Sequence, residues 1–216
     1  LGTRFGGEIP KQLQLVEGTE LFKYSLNTFM SIADVSEVVL VCHPEWLDYF
    51  YKLELSSKIK IVEGGAQRWI SVYNGVSALS DDITHVLVHD IARPFISVEI
   101  VNQCIETLKQ SQAFIVAKPV SDTVKKVCNG KIVETILREE LFLAQTPQGC
   151  NKELLLKLYS QMKQYPEFIP TDESSILEKF GIPVSIIIGN RENDKLTEPE
   201  DLIYFEMLAQ KRSYQK

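Results

Sequence analysis

Short apolar runs recurring between amphipathic stretches constrain this chain more than any other feature. Residues 37–42 (EVVLVC), 58–62, 86–88 within THVLVHDIARP (84–94), 113–120 (AFIVAKPV) and 184–188 each read as a strand, with 37–42 and 184–188 buried and 86–88 buried on both faces. Between them, 21–32 carries Leu21, Phe22, Leu26, Phe29 and Met30 on one helical face, and 44–55, 68–79, 98–109 and 152–164 also read as helices. Strands alternating with helices are the signature of a doubly wound α/β domain. The 216 residues suit one such domain.

The alternation breaks at 121–138. Asn129-Gly130, the pair that a type I′ turn prefers, is flanked by VKKVC and KIVETI, so this stretch reads as an inserted β-hairpin. A lone hairpin is marginal in water and needs something to pack on. A second subunit and its own domain are equally open as that surface. Beyond it, 141–150 reads as an extended polar segment. Thr171 reads as a helix N-cap with Ser174 at the third helical position, and Thr197 as the cap of a terminal helix.

Composition excludes several functions. A net charge of −6 argues against a protein that coats nucleic acid, which would carry a basic excess. No apolar run approaches the roughly 20 residues that span a bilayer. Cys42, Cys104, Cys128 and Cys150 are widely spaced and suggest neither zinc nor a redox pair, but thiols in a reducing cytoplasm. His43 and His85 have no ligand-spaced partner, and His89 alternates with Asp90 on its strand.

Against that background, the carboxyl edge of the sheet stands out. Ligands of open α/β sheets sit beyond the carboxyl ends of the strands. The 86–88 run ends there on Asp90, which is suited either to holding a hard cation such as Mg²⁺ against phosphate oxygens or to capping the next helix. The glycine-rich stretch 1–12 carries Arg4 and Lys11, the kind of loop whose amides and cations can hold phosphate. Such loops follow a buried strand, and none precedes this one, so a first strand is expected to be missing from the sequence as given. Gly64-Gly65 opens the helix at 68, where backbone amides can approach a ligand. Ser71 can reach a base or phosphate, or fold back on its helix. Arg93 and Lys195 join Asp90 at the same edge, with Arg138 contributed by the hairpin. Cations converging on one carboxylate suit chemistry on phosphates. No G-x-G-x-x-G with a downstream acid and no Ser-His-Asp arrangement competes with that reading.

As a set, GTRFG and PKQ (2–12), GGAQRWISV (64–72), VHDIARP (88–94), PVSDTVKK (119–126), QTPQ (145–148), TDESS (171–175) and DKLTEPEDL (194–202) resemble the 2-C-methyl-D-erythritol 4-phosphate cytidylyltransferase family of isoprenoid biosynthesis. The resemblance runs from Leu1 to about Leu208. It implies a Rossmann-like three-layer α/β/α domain with a mostly parallel sheet and an inserted hairpin arm, over 1–216, dimerising through that arm. It implies transfer of CMP from CTP to a polyol phosphate, with Mg²⁺ or another divalent cation on Asp90. Gly2, Gly65, Ala66 and Ser71 would line the nucleotide site, while Arg4 and Lys11 would grip the triphosphate and stabilise the α-phosphorus. Arg93, Thr146, Thr171 and Lys195 would hold the acceptor. Thr123 and Arg138 would reach the acceptor site of the partner subunit. Three positions depart from the family pattern: Ala66 where an aspartate is frequent, Ile91 where alanine is usual, and Asp194 where an apolar residue is usual. They bear on the acceptor's identity more than on the reaction, and two alternatives stand beside this reading: a ribitol-5-phosphate cytidylyltransferase, and a nucleotide-binding homologue without catalysis, which the absent first strand motivates.

Overall fold

The strands expected from the apolar runs all form, but they do not make one parallel sheet. The computed structural model describes residues 10–213. A small hairpin, β1 (Leu15–Val16) and β2 (Thr19–Glu20), turns through Glu17 and Gly18, both at positive φ, and leads into α1 (Leu21–Met30). There follow β3 (Val38–Cys42), α2 (Leu47–Tyr51), β4 (Ile59–Glu63), α3 (Arg68–Ser77), β5 (His85–Val88), α4 (Val98–Leu108) and β6 (Ala113–Pro119). The hairpin is β7 (Val124–Cys128) and β8 (Lys131–Ile136). The chain returns as β9 (Phe142–Asn151) and continues through α5 (Lys152–Gln161), α6 (Glu173–Lys179), β10 (Ser185–Ile188) and α7 (Asp201–Ser213).

β3 and β4 form a parallel pair, with Leu40 opposite Ile61. A separate four-stranded sheet has the order β10-β6-β9-β5. There β10 and β6 are parallel, but β9 runs antiparallel to both β6 and β5. The expected mostly parallel sheet is therefore corrected to a mixed one. The cause is the excursion at 120–141: the chain leaves β6, makes a hairpin and comes back alongside the strand it left, which forces the reversed direction. β9 was legible only as an extended polar segment because Gln145, Thr146 and Gln148 interrupt its apolar pattern, although all three are buried.

Period-two alternation distributes the core to both faces of this sheet. Ala113 packs with Leu155, Leu158, Tyr159, Ile176 and Leu177 of α5 and α6. Its neighbour Phe114 faces the opposite way, against Ile100, Val101 and Cys104 of α4. Between β3 and β5, which share no hydrogen bonds among the described residues, lies a groove of about 930 Å³ flanked by α1 and α3.

Two helix starts differ from expectation. Asp172, not Thr171, caps α6: its carboxylate accepts from Ser175 N at 2.9 Å and the Ser175 hydroxyl accepts in return, a reciprocal box with Ser175 rather than Ser174 at the third position. α7 begins at Asp201, whose Oδ2 accepts from Thr197 N and Glu198 N, so the aspartate, not the expected Thr197, ties off the turn. The hairpin turn forms as expected, with Asn129 and Gly130 both at positive φ. Its strands are exposed almost throughout, including Val127, Ile132 and Val133, so the arm does not fold back onto its own domain.

Gly149 is where β9 passes closest to its neighbours. A Cβ there would sit 2.6 Å from the Phe114 ring and 2.7 Å from the backbone oxygen of Val86. Because one obstacle is backbone, Gly149→Ala is expected to destabilise the fold by about 1–3 kcal/mol, read as a lower urea midpoint.

Candidate active site

Asp90 follows β5 in the turn leading toward α4, and its carboxylate is gripped from two sides. Arg68, the first residue of α3, donates to Oδ1 from Nη2 at 3.2 Å and from Nε at 3.4 Å. Lys195 Nζ donates to Oδ2 at 2.6 Å. Burial alone would raise this carboxyl pKa, but Arg68, Lys195 and then Arg93 outweigh it and hold Asp90 well below the usual carboxylate range. It is an anion at any working pH.

Arg68 has a second anchor. Its Nη1 and Nη2 reach Glu173 Oε1 and Oε2 at 2.8 and 3.0 Å, a bidentate pair, and Tyr159 also donates to that carboxylate at 3.2 Å. Glu173 is only 2% exposed. Although burial works against the cation, Glu173 and then Asp90 raise the Arg68 pKa above its already high value. Neither Arg68 nor Glu173 was singled out from sequence. A signal existed: a cation at the start of a helix faces the positive end of the helix dipole, which calls for nearby carboxylates.

Beneath Asp90 lies a small relay. Its backbone N–H donates to Thr146 Oγ1 at 3.0 Å, and that hydroxyl lies 3.1 Å from His89 Nδ1. His89 Nε2 is 2.9 Å from the Arg93 carbonyl, which can only accept, so Nε2 carries the proton and Nδ1 accepts from Thr146. Thr146 is buried and its hydroxyl is spent on this relay; it supports Asp90 here rather than facing the groove. Arg93 donates to the carbonyls of Asn193 and Ala144, at 2.9 and 3.1 Å, while its buried Nε has no partner among the described residues.

Gly65, Ala66 and Ser71 line the same groove as Asp90 and Lys195. The Ser71 hydroxyl accepts from Gly65 N at 3.0 Å, which braces the turn before α3. Thr171 is exposed just ahead of α6, with its N–H on Ser175. Thr123 and Arg138 sit at the foot of the arm; both are exposed, and Arg138 donates to Ser121 O rather than to the Asp90 cluster. Gly2 and Arg4 lie outside the described residues, as does the side chain of Lys11.

The departures have local partners. Asp194 takes Lys118 at 2.5 Å and Gln145 Nε2 at 2.9 Å, which makes a charge tolerable at that position. Gly189 lacks the side chain that would strike Gln145, and so leaves room for that amide. Ile91 packs against the cluster containing Phe22, Leu40 and Phe50.

Among the described residues, no group of three or more His, Cys, Asp or Glu is arranged to cage a metal ion. A lone carboxylate suits Mg²⁺, which keeps several waters and binds through one or two carboxylates plus substrate phosphates. The donor set therefore fits a cation that arrives with a nucleotide.

A sequence model of the 2-C-methyl-D-erythritol 4-phosphate cytidylyltransferase family matches residues 1–211. The chain belongs to that family. It is a cytidylyltransferase, and so a nucleotidyltransferase. It is 36% identical over 206 residues to the enzyme of that name from Clostridioides difficile, a match covering 93% of this chain and 86% of that protein. It is 38% identical over 211 residues to a bifunctional enzyme of Desulfotalea psychrophila, covering 95% of this chain but only 53% of the longer protein. Among solved structures, the 4-diphosphocytidyl-2C-methyl-D-erythritol synthase of Anaerococcus prevotii superposes with a TM-score of 0.85 at 29% identity, over 92% of this chain and 93% of that one. The cytidylyltransferase of Thermus thermophilus gives 0.79 at 30% identity, over 93% and 94%.

His89 gives the site a pH signature of its own. Burial pushes its imidazole down to about 4, only partly offset by the hydrogen bond to Arg93. The unfolded chain takes up that proton near 6.5 and the folded chain only near 4, so stability is lost as pH falls across that window. His89→Gln is expected to flatten the pH dependence of the urea midpoint between 6.5 and 4, by up to roughly 3 kcal/mol.

Proposed function

We propose that the Asp90 centre is where this chain carries out its family's reaction. In that reaction CMP passes from CTP to 2-C-methyl-D-erythritol 4-phosphate, giving 4-diphosphocytidyl-2-C-methyl-D-erythritol and pyrophosphate. The observation that carries this reading is the Asp90 carboxylate, ionised at the end of β5, with Arg68 and Lys195 on its two oxygens and the Gly64-Gly65 turn in the same groove. An acceptor phosphate oxygen attacks the α-phosphorus as the bond to the β-phosphate bridging oxygen breaks. That oxygen is already anionic near neutral pH, so no general base is needed, and positioning plus fixed charge can carry the step.

In this reading, Gly65, Ala66 and Ser71 hold the nucleotide end, with Ala66 offering only its backbone. A divalent cation on Asp90 would neutralise charge across the phosphate oxygens. Lys195 is only partly buried and turns from Asp90 toward the phosphates, serving as a catalytic residue with Arg4 and Lys11. Arg93 is assigned to the acceptor end, acting from beside Asp90 with its Nε unpartnered among the described residues. Thr146 aligns Asp90 from below, and Thr171 lies at the acceptor end.

The arm supplies the remaining contacts in trans. Val127, Ile132, Val133 and Leu137 are exposed apolar residues, and Thr123 and Arg138 lie at the arm's foot. These features support docking on a second copy of the chain, with Thr123 and Arg138 reaching that copy's acceptor. Ile132→Asp is expected to shift the protein toward monomer in sedimentation and to weaken acceptor binding.

The deciding experiment is pyrophosphate release from CTP and Mg²⁺ with 2-C-methyl-D-erythritol 4-phosphate or ribitol 5-phosphate offered in parallel. Release with the first acceptor alone is expected, falling about 10²–10³-fold in Asp90→Asn. Release with ribitol 5-phosphate alone would overturn the acceptor assignment. CTP binding without any release would overturn the catalytic reading.

A further inference from the structure

A cation that touches a metal-site carboxylate is also a competitor for it. Arg68 is such a cation, and its contacts are unequal: 2.8 and 3.0 Å to Glu173, against 3.2 and 3.4 Å to Asp90. The guanidinium gives Glu173 two parallel bonds, one to each oxygen, the bidentate form of a strong arginine–carboxylate pair. Asp90 receives only the side edge, Nε and the shared Nη2.

Glu173 is built to stay where it is. It opens α6, is 2% exposed, and takes a third hydrogen bond from Tyr159, itself 2% exposed. The next residue is pinned as well: Ser174 N donates to Gln148 Oε1 of β9 at 2.8 Å. We propose that Glu173 is a positioning residue for the metal-site carboxylate, acting through Arg68: by taking the guanidinium's two shorter bonds it loosens the longer ones to Asp90 Oδ1 and cancels the cation's charge, leaving that oxygen able to take a divalent cation. The proposal rests on Asp90 being the metal ligand.

Replacing Glu173 with glutamine would remove the countercharge and turn an N–H₂ group toward the guanidinium. Arg68 would then close on Asp90 Oδ1, the oxygen that Lys195 does not hold. Removing Arg68 as well would remove the competitor. The two substitutions therefore oppose one another at the metal while both cost packing, which is what separates positioning from a structural role.

The test is the Kd for Mn²⁺ on the protein–CTP complex, followed by the enhancement of water-proton relaxation that the protein adds to that of Mn²⁺–CTP alone. Glu173→Gln is expected to raise the Kd for Mn²⁺ roughly tenfold. Arg68→Met/Glu173→Gln is expected to bring it back to within about threefold of wild type, although its melting temperature stays low. A wild-type Kd in Glu173→Gln, or a double variant as weak as the single one, would overturn the proposal. If Glu173→Gln does not fold, Arg68→Met alone decides. It should bind Mn²⁺ at least as tightly as wild type, and a tenfold weaker Kd would show that Arg68 helps the metal rather than competing with it. Asp90→Asn is run alongside. Lost Mn²⁺ binding there with none lost in Glu173→Gln sinks only this inference. Unchanged binding in Asp90→Asn removes the metal reading and the inference together.

Discussion

The site depends on a polar strand buried in the middle of a sheet. β9 presents Gln145, Thr146 and Gln148 where a central strand would ordinarily carry valine or leucine, and a buried amide or hydroxyl is costly unless its hydrogen bonds are met. Each is met by a different loop. Gln145 donates to Asn190 O and Asp194, ahead of Lys195. Thr146 takes the backbone N–H of Asp90. Gln148 donates to Asp172 and accepts from Ser174 N, on either side of Glu173. One rigid strand thereby fixes three loops whose charged side chains meet above it. The penalty for leaving any of these groups unpaired is what keeps the loops in register.

This arrangement also explains which parts of the chain could be read in advance. Strands such as 38–42 and 113–119 announce themselves by apolar runs, and the Asn129-Gly130 turn by the positive φ that its residues tolerate. The direction of β9 could not be read, because apolar periodicity records burial and not polarity of the chain. Its strand character was obscured by the same glutamines that give it its role. Asp90, Arg93 and Lys195 were legible because strand ends in α/β folds collect ligands, and the structure brings Asp90 and Lys195 into contact. Arg68 and Glu173 were not, since they lie 105 residues apart and become partners only when α3 and α6 converge. A threonine before an acidic run fits the pattern of a cap, but at 171 the neighbouring Asp172 makes the stronger, charged acceptor.

The three departures from the family pattern fall at different levels. Ala66 offers the groove beside Gly64-Gly65 a methyl group and its backbone amide, with no carboxylate. Ile91 is absorbed by core packing beside α1 and β3. Asp194 brings a charge to the base of the site, where Lys118 and Gln145 answer it. Each departure is accommodated without disturbing the Asp90 cluster.

Gly189 carries this further. Its backbone N–H holds Ala117 O at 2.8 Å, while the empty space at its α-carbon houses the Gln145 amide, whose hydrogen bonds reach toward Asp194. Positions 189 and 145 therefore behave as a lock of two tumblers: bulk at the first needs the second to shrink and Val116 to give way, and a shrunken second takes its donor from Asn190 O and one partner each from Asn193 and Asp194. Drift at either position is confined to paths that pass through both, so among divergent copies of this fold these two residues should change together or not at all.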